Sequence, residues 1–303
     1  PQVCQSRQVG EFPNRRSLFH MKVVHTVNDL REQVAKWHRD GLTVGFVPTM
    51  GNLHDGHLAL IDEARKYADR VLASIFVNPM QFGKGEDYAN YPRTLERDRQ
   101  LLETHHASLL FAPGVEEMYP LPLSEQTRVE VPGLSDILCG ASRPGHFAGV
   151  ATIVCKLFNM AQPDVALFGE KDYQQLLVIR QMVRDLAMPV EIISYPTVRE
   201  SDGLAMSSRN AYLSEDQRRV APKLHAMLEE TQTALMQGNS DFEGLEARAV
   251  DVLAVAGFEV DYFSIRDAGT LSIPLAGSDE LVILAAARLG STRLIDNLAV
   301  PPG

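Results

Sequence analysis

Two hydrophobic rhythms alternate along this chain. Residues 43–47, 71–77, 109–111, 165–168 and 190–195 are short, nearly unbroken apolar runs, and 22–25 is a shorter β-like one. Strands buried on both faces of a parallel sheet read this way. Between the runs, apolar residues recur every three or four positions. Leu30, Val34 and Trp37 form a stripe on a helix that Thr26 caps, that reaches about Asp40 and that Gly41 ends. Leu58, Ile61, Ala64 and Ala68 form a second stripe, and helices are predicted at 95–103, 150–160 and 173–186. Residues 113–146 read as a long loop with several prolines and glycines. Strand alternating with helix predicts an α/β fold built on a Rossmann-like, doubly wound parallel sheet.

The rhythm changes near Pro196. Two amphipathic helices, 217–236 and 242–256, precede β-like runs at 260–265 and 281–287. Helices followed by strands predict a smaller C-terminal α+β domain. Residues 1–20 show no periodicity, and a start methionine is available at Met21. They are read as a leader or disordered extension; Arg15-Arg16 is not followed by the apolar segment of a twin-arginine signal. The expected division is 1–20, 21–195 and 196–303.

Charge and cysteine content narrow the class. A net charge of −10 argues against a general nucleic-acid surface. No apolar run reaches the roughly 18 residues of a membrane span. Cys4, Cys139 and Cys155 are scattered, odd in number and without metal-ligand spacing, which points to the cytoplasm rather than to a disulfide framework. Cys155, inside an apolar helical pattern, reads as a small core residue.

Candidate chemistry sits where predicted strands end. After the run 43–47 comes Met50-Gly51-Asn52-Leu53-His54-Asp55-Gly56-His57, with a helix to follow. A strand-to-helix loop is where open α/β sheets bind nucleotides, and the N–H groups of the following helix favour phosphate. Two imidazoles there can donate to phosphoryl oxygens as charge develops. A His-x-Gly-His tetrapeptide alone is as easily an ordinary solvated loop. A second element changes that: Met206-Ser207-Ser208-Arg209-Asn210 follows an Asp202-Gly203 turn and offers two hydroxyls and a guanidinium to phosphates. Gly169-Glu170-Lys171-Asp172 follows the strand 165–168. There Lys171 can neutralise a triphosphate, and Asp172 can cap the next helix or meet a ribose or metal. Gln81, between Met80 and Phe82, and Gln175, one turn beyond Lys171-Asp172, can hold a small hydroxy acid. Arg143 in Ser142-Arg143-Pro144-Gly145-His146-Phe147 reads equally as an anion contact or as part of a structural loop with one ion pair.

The two motifs together resemble those of the HIGH/KMSKS nucleotidyltransferases. The second departs from its pattern at Ser207 and at Arg209, which stands where the second lysine falls, so a positive charge at the phosphates survives. Taken with Phe76 to Phe82, Tyr91-Pro92-Arg93-Thr94, Arg143 to Phe147, Phe168 to Asp172 and Leu294-Ile295-Asp296-Asn297, the chain from Met21 to about Asn297 resembles the pantoate–β-alanine ligases. The resemblance implies an AMP-forming acid–amine ligase that makes pantothenate through pantoyl adenylate, with ATP and Mg²⁺. It implies ATP along Met50, Gly51, Asn52, Leu53, His54, Asp55, Gly56 and His57; along Gly169, Glu170, Lys171 and Asp172; at Val198; and along Met206, Ser207, Ser208 and Arg209. It implies His57 as proton donor, pantoate at Gln81 and Gln175, β-alanine also near Gln81, and a homodimer. His54, His57, Lys171 and Arg209 are the expected catalytic groups; the metal ligands stay unassigned. Glycine-bearing loops at 82–91 and 202–209 are expected to cover the site.

Overall fold

The structure, a computed structural model, describes residues 21–83, 85–275, 278 and 280–301. The expected leader at 1–20 lies outside the described residues. The chain runs β1 (Lys22–Val24), α1 (Val27–Arg39), β2 (Val44–Thr49), α2 (Asp55–Ala64), β3 (Arg70–Ile75), α3 (Leu95–Thr104), β4 (Leu109–Phe111), α4 (Val115–Met118), α5 (Cys139–Ser142), α6 (His146–Ala161), β5 (Val165–Gly169), α7 (Tyr173–Asp185) and β6 (Glu191–Tyr195). Then come α8 (Glu215–Val220), α9 (Lys223–Met236), α10 (Phe242–Val255), β7 (Phe258–Asp267), β8 (Leu281–Leu289) and β9 (Thr292–Val300).

The first six strands form one sheet in the order β1-β4-β3-β2-β5-β6, with every pair parallel. Alternate residues serve opposite faces. Val44, Phe46 and Leu72 face a core shared with Leu30 and Trp37 of α1 and with residues of α6 and α7. Val47, Val71 and Ala73 face Leu58 and Ile61 of α2 and Leu102 of α3. Burial on both faces is why these strands are apolar throughout. The strand order reverses between β2 and β5, so their C-terminal ends frame the crevice where such sheets take ligands.

The C-terminal sheet is antiparallel, β7-β8-β9. Ile283 and Ala285 of β8 join α9 and α10 in a separate core around Leu228 and Leu253. The opposite face, Val282 and Leu284, packs on Leu177 of α7. The small sheet is thereby pressed against the large one's helices. No helix among the described residues is long and apolar enough to cross a membrane.

Several boundaries differ from expectation. α2 begins at Asp55 rather than Leu58, because its first turn, Asp55-Gly56-His57, carries no apolar side chain to extend the stripe; α6 begins at His146 rather than Val150, directly after Gly145 in the left-handed region. The helix expected over 217–236 is two, α8 and α9, broken at Ala221-Pro222 where proline has no N–H to give. The loop 113–146 contains α4 and α5. Cys155 is half-buried rather than fully enclosed.

Candidate active site

The His-x-Gly-His segment leaves β2 through Gly51 and Asn52, with φ of 81° and 50°. Asn52 and Leu53 donate their N–H groups to Asp98 on α3, at 2.8 and 2.9 Å. Leu53 is buried, and His54 turns back out as the N-cap of α2. Its Nδ1 accepts from Gly56 N at 3.2 Å, while the backbone N–H of His54 points at His57 Nδ1, 3.4 Å away. Two histidines thus play the parts that Ser and Glu take in a capping box. Each Nδ1 accepts, so each neutral ring carries its proton on Nε2. Burial, and then the Lys171 cation, lower the pKa of His54 to about 4. Burial, and then His54, lower that of His57 to about 3. Both rings, centroids 4.1 Å apart, are therefore uncharged donors at neutral pH. A Cβ on Gly56 would lie 3.0 Å from the His54 ring, which explains the glycine between them.

Across a cavity of about 240 Å³ stand the other loops. Its lining brings together Met50, His54, Gly56, His57, Gln81, Gly169, Lys171, Asp172, Gln175, Val198, Met206, Ser207, Ser208 and Arg209. Five expected residues are not part of that lining. Leu53 is core, Asp55 points to solvent, Gly51 and Asn52 shape the turn, and Glu170 offers its carbonyl to Asn297. Asp172 precedes α7 but makes no capping bond. Burial works against its ionisation, yet Lys171, Arg209 and the neighbouring histidines outweigh this and hold the carboxyl below its ordinary range.

The serine–arginine loop is latched to the histidine loop: Ser208 Oγ donates to Asn52 O at 3.1 Å. Arg209 is forked on Asp87 at 3.3 and 3.2 Å. Arg143 is forked on Glu86 at 2.7 and 2.6 Å, so its resting partner is an ion pair. Its Nη1 faces His146 Nε2 at 3.0 Å, and His146 Nδ1 donates to Gln81 O at 2.8 Å. Gln81 ends a 3₁₀ turn, Pro79–Gln81, after β3. Its Oε1 accepts from buried Asn78, which in turn accepts from the Tyr119 hydroxyl at 2.7 Å. A second, larger cavity of about 600 Å³ opens between the two sheets and shares Arg143, Lys171, Asp172, Gln175 and Arg209 with the first.

Sequence reading missed Asp98, Tyr119 and Arg199, and it gave no role of their own to Asn78 and Tyr91, which lie in the family-like segments and line the cavity. One signal for Asp98 was available: with Leu101 and Leu102 it lies on the apolar stripe of α3, where an acid needs a partner. Asp296 and Asn297 were visible only within the family-like ending. Arg199 forks onto buried Asp296 at 2.7 and 2.9 Å, and Asn297 Nδ2 donates to the carbonyls of Glu170 and Lys171.

Comparison with known proteins agrees with this layout. The sequence model of the family described as pantoate-beta-alanine ligase matches residues 22–299. A pantothenate synthetase of Azotobacter vinelandii is 57% identical over 280 residues, covering 92% of this chain and 99% of that protein. The crystal structure of pantothenate synthetase from Thermus thermophilus superposes with a TM-score of 0.85 at 51% identity, covering 93% of this chain and 100% of that one. That of pantoate-beta-alanine ligase from Francisella tularensis, complexed with beta-gamma ATP and beta-alanine, gives 0.78 at 33% identity, covering 93% and 99%. With all three cavity loops and all but the last residue of the two sheets inside the matched span, the chain belongs to the pantoate–β-alanine ligase family.

Proposed function

We propose that His54, His57, Lys171 and Arg209 carry the chemistry by which this ligase condenses pantoate with β-alanine at the expense of ATP. The observation that carries this reading is the pair of neutral imidazoles, Nε2–H donors at the start of α2, facing Lys171 and Arg209 across one cavity. A carboxylate does not condense with an amine in neutral water, because its oxygen is a poor leaving group. The pantoate carboxylate attacks the α-phosphorus of ATP, giving pantoyl adenylate and pyrophosphate. Such a displacement asks for alignment and charge stabilisation. His57 and His54 donate to the phosphoryl oxygens, and Lys171 and Arg209 neutralise the leaving pyrophosphate. The β-alanine amine then attacks the acyl carbon and expels AMP.

ATP lies against Met50, His54, Gly56, His57, Gly169, Lys171, Asp172, Val198 and Met206 to Arg209, while Gly51, Asn52, Leu53, Asp55 and Glu170 serve the shape of the loops. Gln81 and Gln175 hold pantoate, with β-alanine beside Gln81. The Francisella tularensis ligase, complexed with beta-gamma ATP and beta-alanine, supports these two molecules as substrates here. Among the described residues no group of three or more His, Cys, Asp or Glu could hold a metal. Asp172, a cavity carboxylate 3.8 Å from Lys171 Nζ, suits a Mg²⁺ that keeps most of its waters and arrives with the phosphates, sharing their charge. Residues 21–195 form the substrate-binding domain and 196–303 the cover. The family resemblance supports a homodimer, which sedimentation equilibrium checks, and the scattered cysteines support the cytoplasm.

Pyrophosphate exchange into ATP tests the reading, run with Mg²⁺ and pantoate but without β-alanine. Pantoate-dependent exchange is expected. Exchange only with another acid would overturn the substrate, and ATP binding with no exchange at all would overturn the adenylation.

A further inference from the structure

Asp98 lies on the first turn of α3, lines neither cavity and is fully buried, yet its carboxylate serves the histidine loop and the hydroxyl of Thr94, at 3.0 Å. A buried carboxylate is tolerated only where hydrogen bonds replace its water. Here Asn52 N at 2.8 Å and Leu53 N at 2.9 Å do so. Gly51 and Asn52 both sit in the left-handed region, a conformation that is strained for Asn52. Two successive N–H groups beyond this turn converge on one carboxylate, as backbone amides do when they bind an anion. Asp98 occupies this anion site from below, so the loop's amides are not available to a phosphate. The loop is also pressed onto the carboxylate: a Cβ on Gly51 would lie 3.1 Å from Asp98 Oδ2. The next residue, Leu53, is thereby sent into the core, and the N–H of His54 is aimed at His57 Nδ1.

We propose that Asp98 is a positioning residue for adenylation, acting through the Asn52 and Leu53 amides to hold His54 and His57 with their Nε2–H groups facing the phosphates. The proposal rests on the role given above to the two histidines.

The test is Asp98→Asn in the full chain, whose carboxamide can accept only one of the two amides. The expected result is a kcat for pantothenate formation at least about tenfold lower, with KM for ATP within about threefold. Long-range ¹H–¹⁵N spectra of the substrate-free protein should show His54 and His57 as the Nε2–H tautomer in the parent and a mixture in the variant. A kcat per folded molecule within about threefold of the parent overturns the proposal, as does a lowered kcat with unchanged ring signals. Should the variant not fold, hydrogen exchange of the parent decides. Strong protection of the Asn52 and Leu53 amides supports the proposal, and exchange at the rate of an open loop overturns it. Ring tautomers and amide exchange are read without substrate, so they stand apart from a failure of pantoate-dependent pyrophosphate exchange, which would instead overturn the functional reading.

Discussion

A neutral imidazole offers one hydrogen bond and no charge, so the tautomer decides what His57 can give a phosphoryl oxygen. Its Nδ1 is engaged by the His54 backbone, which leaves Nε2–H for the substrate. His57→Ala removes one such donor, and kcat should fall by about 10²- to 10³-fold, as for other preorganised donors. Stability should change little, because the residue is only partly buried at a cavity wall; kcat and a thermal melt measured together check both. The depressed pKa values carry a second consequence. His54 and His146 titrate near 4 and His57 near 3, against 6.5 for the unfolded chain. Between those limits the unfolded state binds more protons, so stability falls as pH drops from about 6.5 toward 4. Melting temperatures recorded from pH 7 to 4.5 should show this, and His146→Gln should flatten the slope. These histidines should put no titration limb near pH 6.5 on kcat/KM. That His54 and His57 stand together at the start of a helix was legible in the sequence. Their protonation state was not, because it comes from burial and from Lys171, which share no local pattern with them.

At the scale of elements, the placing of Gln81, proposed above to hold pantoate, depends on how closely α6 approaches the turn after β3. A Cβ on Gly149 would stand 2.5 Å from Met80 O and 2.6 Å from Gln81 Cα, so only glycine permits the contact. Gly149→Ala should therefore act at a distance on Gln81. Its KM for pantoate should rise roughly tenfold, the worth of about one hydrogen bond to a charged group, and Gln81→Ala should do the same. KM for ATP should stay within about threefold in both, and steady-state kinetics with each substrate varied in turn separates the cases. The same packing marks where sequence patterns succeed. The parallel strands are apolar on both faces, and α1 carries a clean stripe and cap, so each was readable alone. β9 was not read as a strand. Its buried positions include Asp296 and Asn297, on opposite faces of the strand, whose partners, Arg199 and the Glu170–Lys171 carbonyls, lie in other elements. Polar residues that point inward to serve a site break the very alternation that announces a strand.

Across the whole molecule, two different links join the C-terminal sheet to the segments that line the cavity. Arg199, on the connector after β6, is forked on Asp296, which is 3% exposed. Asn297, next along β9, crosses to the carbonyls of Glu170 and Lys171 at 2.8 and 2.9 Å. The first link is a buried ion pair, and breaking it leaves an uncompensated guanidinium. Asp296→Asn should cost about 3–5 kcal/mol of stability. The second carries no charge and holds only the backbone that aims Lys171. Asn297→Ala should lower stability by only about 1–3 kcal/mol, the cost of leaving buried carbonyls unpaired. Its larger effect should be on the nucleotide: with Lys171 no longer pinned, KM for ATP should rise about tenfold while KM for pantoate holds. Urea unfolding and ATP-varied kinetics on the two variants check the distinction. If Asn297→Ala unfolds as readily as Asp296→Asn and binds ATP normally once folded, the second link serves stability alone. A raised KM for ATP in a stable Asn297→Ala protein would make the C-terminal sheet part of the nucleotide site without its lending a side chain to the phosphates.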